Sequence, residues 1–246
     1  MKVHIKRSFD SSSSTYDSSC DIQRLVARHL AELITDKYEN ILEIGAGTGV
    51  FTDEIACKFP SADVTCVDIS QALLNGAKEK HPHYKYICAD GENLSLKNGG
   101  FDLLASSSTF QWFAKPEKSI PELINHLKPG GKFAFSIFAE GTFAEMSILN
   151  KMTGFGSVYN LRPDKAYMEI LKGYDVKFET REYVLWFDTV KQFLKKQKGT
   201  GATFTGASKF TSKTSYQKFI ELYPELFGEN GKIPVTYKIF YCSGTV

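Results

Sequence analysis

A glycine-rich loop preceded by a carboxylate is the part of the sequence best suited to bind a ligand. The run is Glu43-Ile44-Gly45-Ala46-Gly47-Thr48-Gly49. Glycines between a strand and a helix let a ligand approach the backbone and leave N–H groups free to donate. The spacing G-x-G-x-G differs from the G-x-G-x-x-G of dinucleotide-binding loops. It suits a ligand with an ammonium group and no pyrophosphate, although a purely structural tight turn would use the same residues.

Two further carboxylates follow the next two predicted strands. Asp68 ends the strand predicted over 63–68, and Asp90 follows the strand predicted over 84–89. Ligands of open α/β sheets bind at the carboxyl ends of strands. There Asp68 can accept hydrogen bonds from two ribose hydroxyls, with Ile69 against an adenine ring. Asp90 can accept from the adenine amino group beside Gly91. The alternatives are a helix-capping role for Asp68 and a turn role for Asp90. Together with the glycine loop, the pattern predicts S-adenosylmethionine as the cofactor.

Alternating strands and helices must position these side chains. Apolar strands are predicted over 40–44, 63–68, 84–89, 101–106 and 132–138, with helices over 51–59, 70–80 and 116–126 between them. Continuous apolar strands joined by helices indicate an α/β fold with a parallel sheet covered on both faces.

The flanks of this region carry further predicted elements. Helical spacing of apolar residues predicts a helix over 22–34, whereas the Ser- and Asp-rich residues 8–19 are predicted to form a flexible arm. Helices over 142–151 and 163–172 and strands over 176–187 and 233–242 complete the chain. An insertion of about 45 residues, with helices over 190–198 and 215–223, separates the last two strands. One domain is predicted over 1–246, with an N-terminal arm and helix (1–37), a cofactor-binding core (38–140) and a basic cap insertion (188–232).

Composition excludes several classes of protein. The 246 residues are 42% hydrophobic and carry a net charge of +2, which is no electrostatic footprint of a dedicated nucleic-acid binder. No stretch approaches the roughly 20 apolar residues of a spanning helix, so we expect a soluble, cytoplasmic protein. The five cysteines are widely spaced and predicted to be buried free thiols. No metal-ligand spacing occurs, and the five histidines lie in no recognisable motif, so we expect them at the surface.

The core resembles the class I S-adenosylmethionine-dependent methyltransferases. The similarity covers roughly residues 38–140 and includes Leu127-Lys128-Pro129-Gly130-Gly131, between the helix predicted over 116–126 and the strand predicted over 132–138. It implies a Rossmann-like, seven-stranded, mostly parallel sheet whose last strand is antiparallel, with helices on both faces. It also implies that Glu43 lies near the methionine amino group and that the stretch Ser106-Ser107-Ser108 lines the methionine end.

The flanks resemble a narrower family, the malonyl-acyl-carrier-protein O-methyltransferases (BioC) of biotin synthesis. The similar segments are Phe9 with Tyr16, Gln23-Arg24, Gln111-Trp112, Leu185 to Asp188, Lys198 to Thr203, and Pro234 to Tyr237. The resemblance implies methyl transfer to the free carboxylate of a malonyl thioester, which is ionised at pH 7 and needs no general base. On this basis Tyr16 is the candidate contact to the reacting groups, and Gln111 and Trp112 are candidates to line the acceptor side.

Other functions remain open at this stage. Nucleic-acid methylation lacks support, because Ser106-Ser107-Ser108-Thr109 stands where an Asn/Asp-Pro-Pro-Tyr/Phe motif would follow the fourth strand. A quinone- or metabolite-type methyltransferase would share the core, and a cofactor-binding scaffold without catalysis would share the loop. Residues 189–220 contain seven lysines and no acidic residue. They form either a solvated face or a docking surface for an acidic carrier protein through Lys195, Lys196 and Lys198. Malonyl-coenzyme A is the alternative substrate.

Overall fold

A computed structural model describes residues 1–96, 99–203 and 212–246. Within these ranges, seven strands form one sheet in the order β3-β2-β1-β4-β5-β7-β6. All neighbours pair in parallel except β7, which runs antiparallel to both β5 and β6. The strands are β1 (Asn40–Ile44), β2 (Asp63–Asp68), β3 (Lys85–Cys88), β4 (Phe101–Ser107), β5 (Leu127–Phe138), β6 (Asp175–Phe187) and β7 (Ile233–Thr245).

Helices pack on both faces of this sheet. They are α1 (Lys2–Ser12), α2 (Asp21–Leu33), α3 (Val50–Lys58), α4 (Gln71–Lys80), α5 (Pro116–Ile124), α6 (Ala144–Thr153), α7 (Asp164–Ile170), α8 (Val190–Gly199) and α9 (Lys213–Phe227). The predicted fold class, with an antiparallel last strand and a helical insertion before it, is confirmed. None of the helices in the described ranges is long and apolar enough to cross a bilayer.

Alternating side chains of the strands build two separate cores. Ile41 of β1 joins a cluster on the α2 and α3 side, whereas Leu42 and Ile44 join a cluster with residues of α5 and α7 on the other face. This period-2 alternation with both faces apolar is what a buried parallel strand requires. The sheet is therefore covered on both sides, and β1 to β4 end at one edge, where the sequence predicts the ligand site.

The N-terminal region differs from its prediction. Residues 8–12 belong to α1, so the flexible arm predicted over 8–19 is wrong there. Only Ile5 and Ser12 of α1 are buried, and polar contacts to the core hold the helix. Lys2 pairs with Asp90 at 2.7 Å, and Ser70 donates to Asp10 at 2.6 Å. Composition gave no sign of these long-range partners.

Two smaller predictions also need correction. His29 is buried rather than at the surface, because its ring packs edge-on against Tyr241 with centroids 4.7 Å apart. Its ring nitrogens lie 3.1 Å from Glu32 and 3.0 Å from Glu179, so the buried polar atoms have partners. It lines neither cavity described below. All five cysteines are free, but only three are buried; Cys57 and Cys88 are exposed because they lie at solvent-facing positions of α3 and β3.

Candidate active site

The glycine loop connects β1 to α3 and leaves open space above one of its residues. Gly45 approaches Thr109 so closely that a Cβ would overlap it, and a Cβ at Gly49 would lie 3.3 Å from Ala77 of α4. Gly47 has φ +57, and nothing lies within 4 Å of where its Cβ would be. Gly45 and Gly49 therefore allow close packing, while Gly47 exposes backbone to a ligand.

Asp68 lies beside this loop at the end of β2. Its carboxylate accepts hydrogen bonds from the Gly47 N–H at 2.9 Å and the Ser70 N–H at 2.8 Å. Burial raises the pKa of Asp68 to about 6, although these amide hydrogen bonds oppose the shift. Ser70, rather than Asp68, caps α4, because its hydroxyl accepts from the Leu73 N–H at 3.2 Å. Asp68 thus braces the loop and keeps further acceptor capacity toward the cavity that it lines.

Asp90 follows β3 and is bound by a lysine of the N-terminal helix. It accepts from Lys2 Nζ at 2.7 Å, from Asn93 Nδ2 at 2.9 Å and from the Glu92 N–H at 3.1 Å. Burial alone would raise the pKa of Asp90, but these hydrogen bonds bring it below its ordinary value. The Lys2 ammonium also lies 4.9 Å from the centre of the Phe113 ring. The Lys2 ammonium therefore occupies the Asp90 carboxylate, which the sequence analysis expects to accept from an adenine amino group.

The first cavity lies where these strands end, and α1 covers it. Its volume is about 80 Å³. Of the sequence-predicted site residues, it brings together Tyr16, Gly45, Gly47, Asp68, Ile69, Asp90, Gly91 and Trp112. Burial raises the pKa of Tyr16 well above its ordinary value, so its hydroxyl remains a hydrogen-bond donor at neutral pH.

Four predicted cofactor-binding residues do not line this cavity. Ser106 is fully buried and donates to the Ile44 carbonyl at 2.8 Å, so its side chain braces β4 against β1. Ser107 and Ser108, which belong to the same predicted stretch, do line the cavity. Ala46 is buried in the core on the α2 and α3 side, and Gly49 packs on α4.

Glu43 is the fourth of these residues and lies behind the glycine loop. Its Oε2 accepts from the Thr52 hydroxyl at 2.7 Å, while its buried Oε1 has no hydrogen-bond partner in the described residues. Burial raises the pKa of Glu43 to about 7. An unpaired buried carboxylate oxygen is costly unless a donor or a proton satisfies it.

A second cavity of about 470 Å³ adjoins the first, and Trp112 contributes to both linings. Gln111 lies in its wall, with its Nε2 donating to the Ser108 carbonyl at 2.6 Å. Most other lining side chains are apolar or aromatic. The sequence reasoning missed this wall, which includes Phe138, Phe143, Met146, Phe155 and Leu194. The lining comes from segments far apart in the chain, so no local motif could reveal it.

The three candidate docking lysines of α8 have different surroundings. Lys195 is exposed. Lys196 pairs with Asp21 at 2.8 Å and donates to the Ser18 carbonyl at 2.7 Å, so it already has partners within the chain. Lys198 is exposed and lines the second cavity. Of the seven lysines in 189–220, Lys209 lies outside the described residues.

No group of three or more potential metal ligands occurs within the described ranges.

Comparison with known proteins identifies a methyltransferase family and two full-length relatives. A family described as a methyltransferase domain matches residues 42–135. The chain is 30% identical to a malonyl-[acyl-carrier protein] O-methyltransferase of Priestia megaterium, over 96% of this chain and 94% of that protein. It is also 30% identical to the protein of that name from Halalkalibacterium halodurans, over 98% of this chain and 97% of that protein.

Solved structures show the same fold. Phosphoethanolamine N-methyltransferase 2 of Haemonchus contortus, bound to S-adenosylhomocysteine, superposes with a TM-score of 0.59 at 20% identity, covering 96% of this chain and 57% of that one. The plantazolicin methyltransferase BpumL, also bound to S-adenosylhomocysteine, superposes with a TM-score of 0.56 at 15% identity, covering 99% and 96%. At these identities the likeness is one of fold.

The residues at the first cavity fit S-adenosylmethionine. Gly47 faces open space, and Asp68 offers carboxylate acceptors beside it. Glu43 does not line the cavity, but its buried Oε1 lacks a hydrogen-bond partner among the described residues, so a donor could still satisfy it. Asp90 and Gly91 lie at the next strand end and line the same cavity.

Proposed function

Because this chain belongs to the class I S-adenosylmethionine-dependent methyltransferases, in the family of the malonyl-acyl-carrier-protein O-methyltransferases, we propose that its acceptor is the free carboxylate of a malonyl thioester. The product is the malonyl methyl ester, as in early biotin synthesis. Bound S-adenosylmethionine supplies a methyl group activated by its sulfonium. The chain's own residues hold the two reactants in line and exclude water.

One observation carries the choice of acceptor. Among the described residues lining the second cavity there is no histidine, aspartate or glutamate. Its two tyrosines, Tyr159 and Tyr237, have pKa values raised by burial, so neither is an effective base near pH 7. An amine or hydroxyl acceptor needs a group to take its proton, whereas a carboxylate is already ionised. A carboxylate acceptor therefore suits this cavity.

Residues of the two cavities that meet at Trp112 would position the methyl donor and the acceptor carboxylate. Tyr16 can donate its hydroxyl to the acceptor carboxylate from the first cavity. Gln111 and Trp112 form the wall on the acceptor side, and the Phe9 ring supports the indole edge-on with centroids 5.9 Å apart. Lys198 is the one cationic side chain among the described lining residues of the second cavity. It would balance the acceptor charge.

The test is methyl transfer from labelled cofactor to malonyl, succinyl and acetyl thioesters in parallel. Malonyl thioester should accept label as a base-labile methyl ester, and acetyl thioester should not, because it has no free carboxylate. Labelling of the acetyl thioester, or no labelling of the malonyl one, would contradict the proposed acceptor.

The carrier partner is a second part of the proposal. A lysine-rich cap beside the second cavity suits an acidic acyl carrier protein, because charge complementarity steers association. Lys196 is unsuitable for a charge-reversal test of docking, because its replacement by Glu would also break its ion pair with Asp21. We expect Lys191→Glu with Lys195→Glu to raise KM for malonyl-carrier substrate about tenfold or more at low salt, and less at high salt.

The same double variant should leave malonyl-coenzyme A turnover nearly unchanged. Lys165→Glu with Lys177→Glu, two exposed lysines outside the cap, is the matched control. Equal effects of the cap and control pairs on the carrier substrate would show that the carrier docks elsewhere.

A further inference from the structure

The N-terminal segment (residues 2–19) and the start of the cap (residues 189–203) meet along a close seam. Thr15 Oγ1 donates to the Gly199 carbonyl at 2.9 Å. Lys196 Nζ donates to the Ser18 carbonyl at 2.7 Å and pairs with Asp21 at 2.8 Å. These contacts join parts of the chain that are far apart in sequence. The seam therefore links two elements that would otherwise be independent.

Two glycines of the cap make this close approach feasible. A Cβ at Gly199 would lie 2.9 Å from Ser19 Cβ, closer than real Cβ contacts. A Cβ at Gly201 would lie 2.7 Å from the Ser8 carbonyl oxygen and 3.1 Å from Ser12 Cβ. Gly201 also has φ +69, which side-chain-bearing residues rarely adopt. Any larger residue at Gly201 must push the cap away from the N-terminal segment.

Each side of the seam covers one cavity. Ile5, Phe9 and Tyr16 of the N-terminal segment line the first cavity. Leu194, Gln197 and Lys198 of the cap line the second. If a displacement of one element is passed to the other through these contacts, the lining of both cavities changes.

The first cavity requires such a movement. Its volume of about 80 Å³ is well below the roughly 300–1,000 Å³ typical of small-molecule pockets. Polar contacts hold the N-terminal segment down at that edge: Lys2 on Asp90, Ser70 on Asp10, and Thr48 on Asp17 at 2.5 Å. A ligand that reaches Asp68 and Asp90 must displace some of these contacts and shift the segment.

We propose that Gly199 and Gly201 are positioning residues that couple cofactor binding to the shape of the second cavity. Cofactor entry shifts the N-terminal segment, and the seam carries that shift to α8. Coupling of this kind is reciprocal, so occupation of the second cavity also changes affinity at the first. The inference rests on the proposed function only for the identity of the second ligand.

The first experiment needs no acceptor. Hydrogen–deuterium exchange of the whole protein is measured with and without S-adenosylhomocysteine. In the wild type, exchange should change in the peptides of 2–19 and also in those of 189–203. In Gly201→Ala, the change in 189–203 should be lost, while that in 2–19 remains. The proposal would be overturned if exchange in 189–203 of the wild type were unchanged by S-adenosylhomocysteine. It would also be overturned if exchange in 189–203 of Gly201→Ala still changed as in the wild type.

Gly231→Ala is the matched control. Gly231 has φ +74, close to that of Gly201, but nothing lies within 4 Å of its Cβ position. It therefore carries the same backbone strain without the overlap, and its cap should respond as in the wild type. Thr15→Val provides a milder variant should Gly201→Ala fold poorly, because it removes the hydrogen bond to Gly199 without adding bulk. It should reduce the cap response.

The second experiment measures the coupling itself. Malonyl-coenzyme A affinity is determined with and without S-adenosylhomocysteine, which cannot transfer a methyl group. We expect the two affinities to differ about 5-fold or more in the wild type and in Gly231→Ala, and the factor to approach one in Gly201→Ala. If malonyl thioesters are neither bound nor methylated, the proposed acceptor fails. The exchange experiment still decides whether the seam couples the two elements.

Discussion

Asp68 provides the sharpest test of how the cofactor is held. Its pKa is raised to about 6 by burial, whereas hydrogen bonds from ribose hydroxyls favour the ionised carboxylate. Cofactor binding must therefore release the proton whenever Asp68 is protonated beforehand. The affinity is nearly full well above pH 6 and falls as the pH drops through that value. For a pKa of about 6, the loss is about 2-fold at pH 6 and about 11-fold at pH 5.

Asp68→Asn replaces the charged acceptor without changing its size. Losing a charge-assisted hydrogen bond costs about 1.5–3 kcal/mol, which corresponds to about 10- to 150-fold weaker binding at pH 7.5. The component of pH dependence near pH 6 should vanish in the same variant, since amides do not titrate there. Asp10 and Glu43 also lie nearby, and burial raises the pKa of Glu43 to about 7. Glu43→Gln separates its contribution from that of Asp68.

The assay is calorimetric titration of S-adenosylhomocysteine between about pH 5 and pH 8, in buffers of different ionisation enthalpy that report proton release. A wild-type affinity that is flat over this range would refute the reasoning. So would an Asp68→Asn variant that keeps both the wild-type affinity and the wild-type profile, because Asp68 would then only brace the glycine loop.

Four further outcomes are expected. Gly47→Val should abolish S-adenosylhomocysteine binding in the same titration, because its side chain would fill the open space above the loop at a φ of +57; wild-type affinity would contradict this. Tyr16→Phe should lower turnover with little change in cofactor affinity, and unaltered turnover would remove Tyr16 from the site. Lys2→Ala should tighten S-adenosylhomocysteine binding several-fold, because it frees Asp90 from an ion pair; weaker binding would show that Lys2 helps to hold the ligand. Single-turnover methylation should be nearly independent of pH above about 7, whereas a steep rise toward pH 9 would indicate a hydroxyl or amine acceptor.

Much of the fold and part of the candidate site could be predicted because they depend on local patterns. Apolar runs bounded by polar turns predicted β1 and β2 with the bounds that the structure has. Parallel strands end at one edge, so residues following successive strands had to meet there. That reasoning placed Gly47, Asp68 and Asp90 around one cavity, as the structure does.

The remaining features depend on long-range contacts. Helix α1 lacks an apolar stripe, and its ties to Asp90 and Ser70 join residues that no local pattern connects. The stretch Ser106-Ser107-Ser108 is predicted to line the site as a whole, but successive strand residues point to opposite sides of the sheet. The hydrogen bond to Ile44 shows which side Ser106 takes. Lys196 looked like a free surface charge, since its partner Asp21 lies far away in sequence.

The position of β7 in the sheet has a consequence for biosynthesis. Strand β7 is the last of the seven strands to be translated. In the folded sheet, however, β7 lies between β5 and β6 and pairs with both. On the ribosome, β5 therefore keeps an open edge, and β6 has no neighbour until residues 233–245 emerge. Unpaired apolar strand edges are sites of aggregation during folding. A chain that stops before Ile233 should accumulate as insoluble protein or bound to chaperones, even though every residue lining the first cavity has already been made.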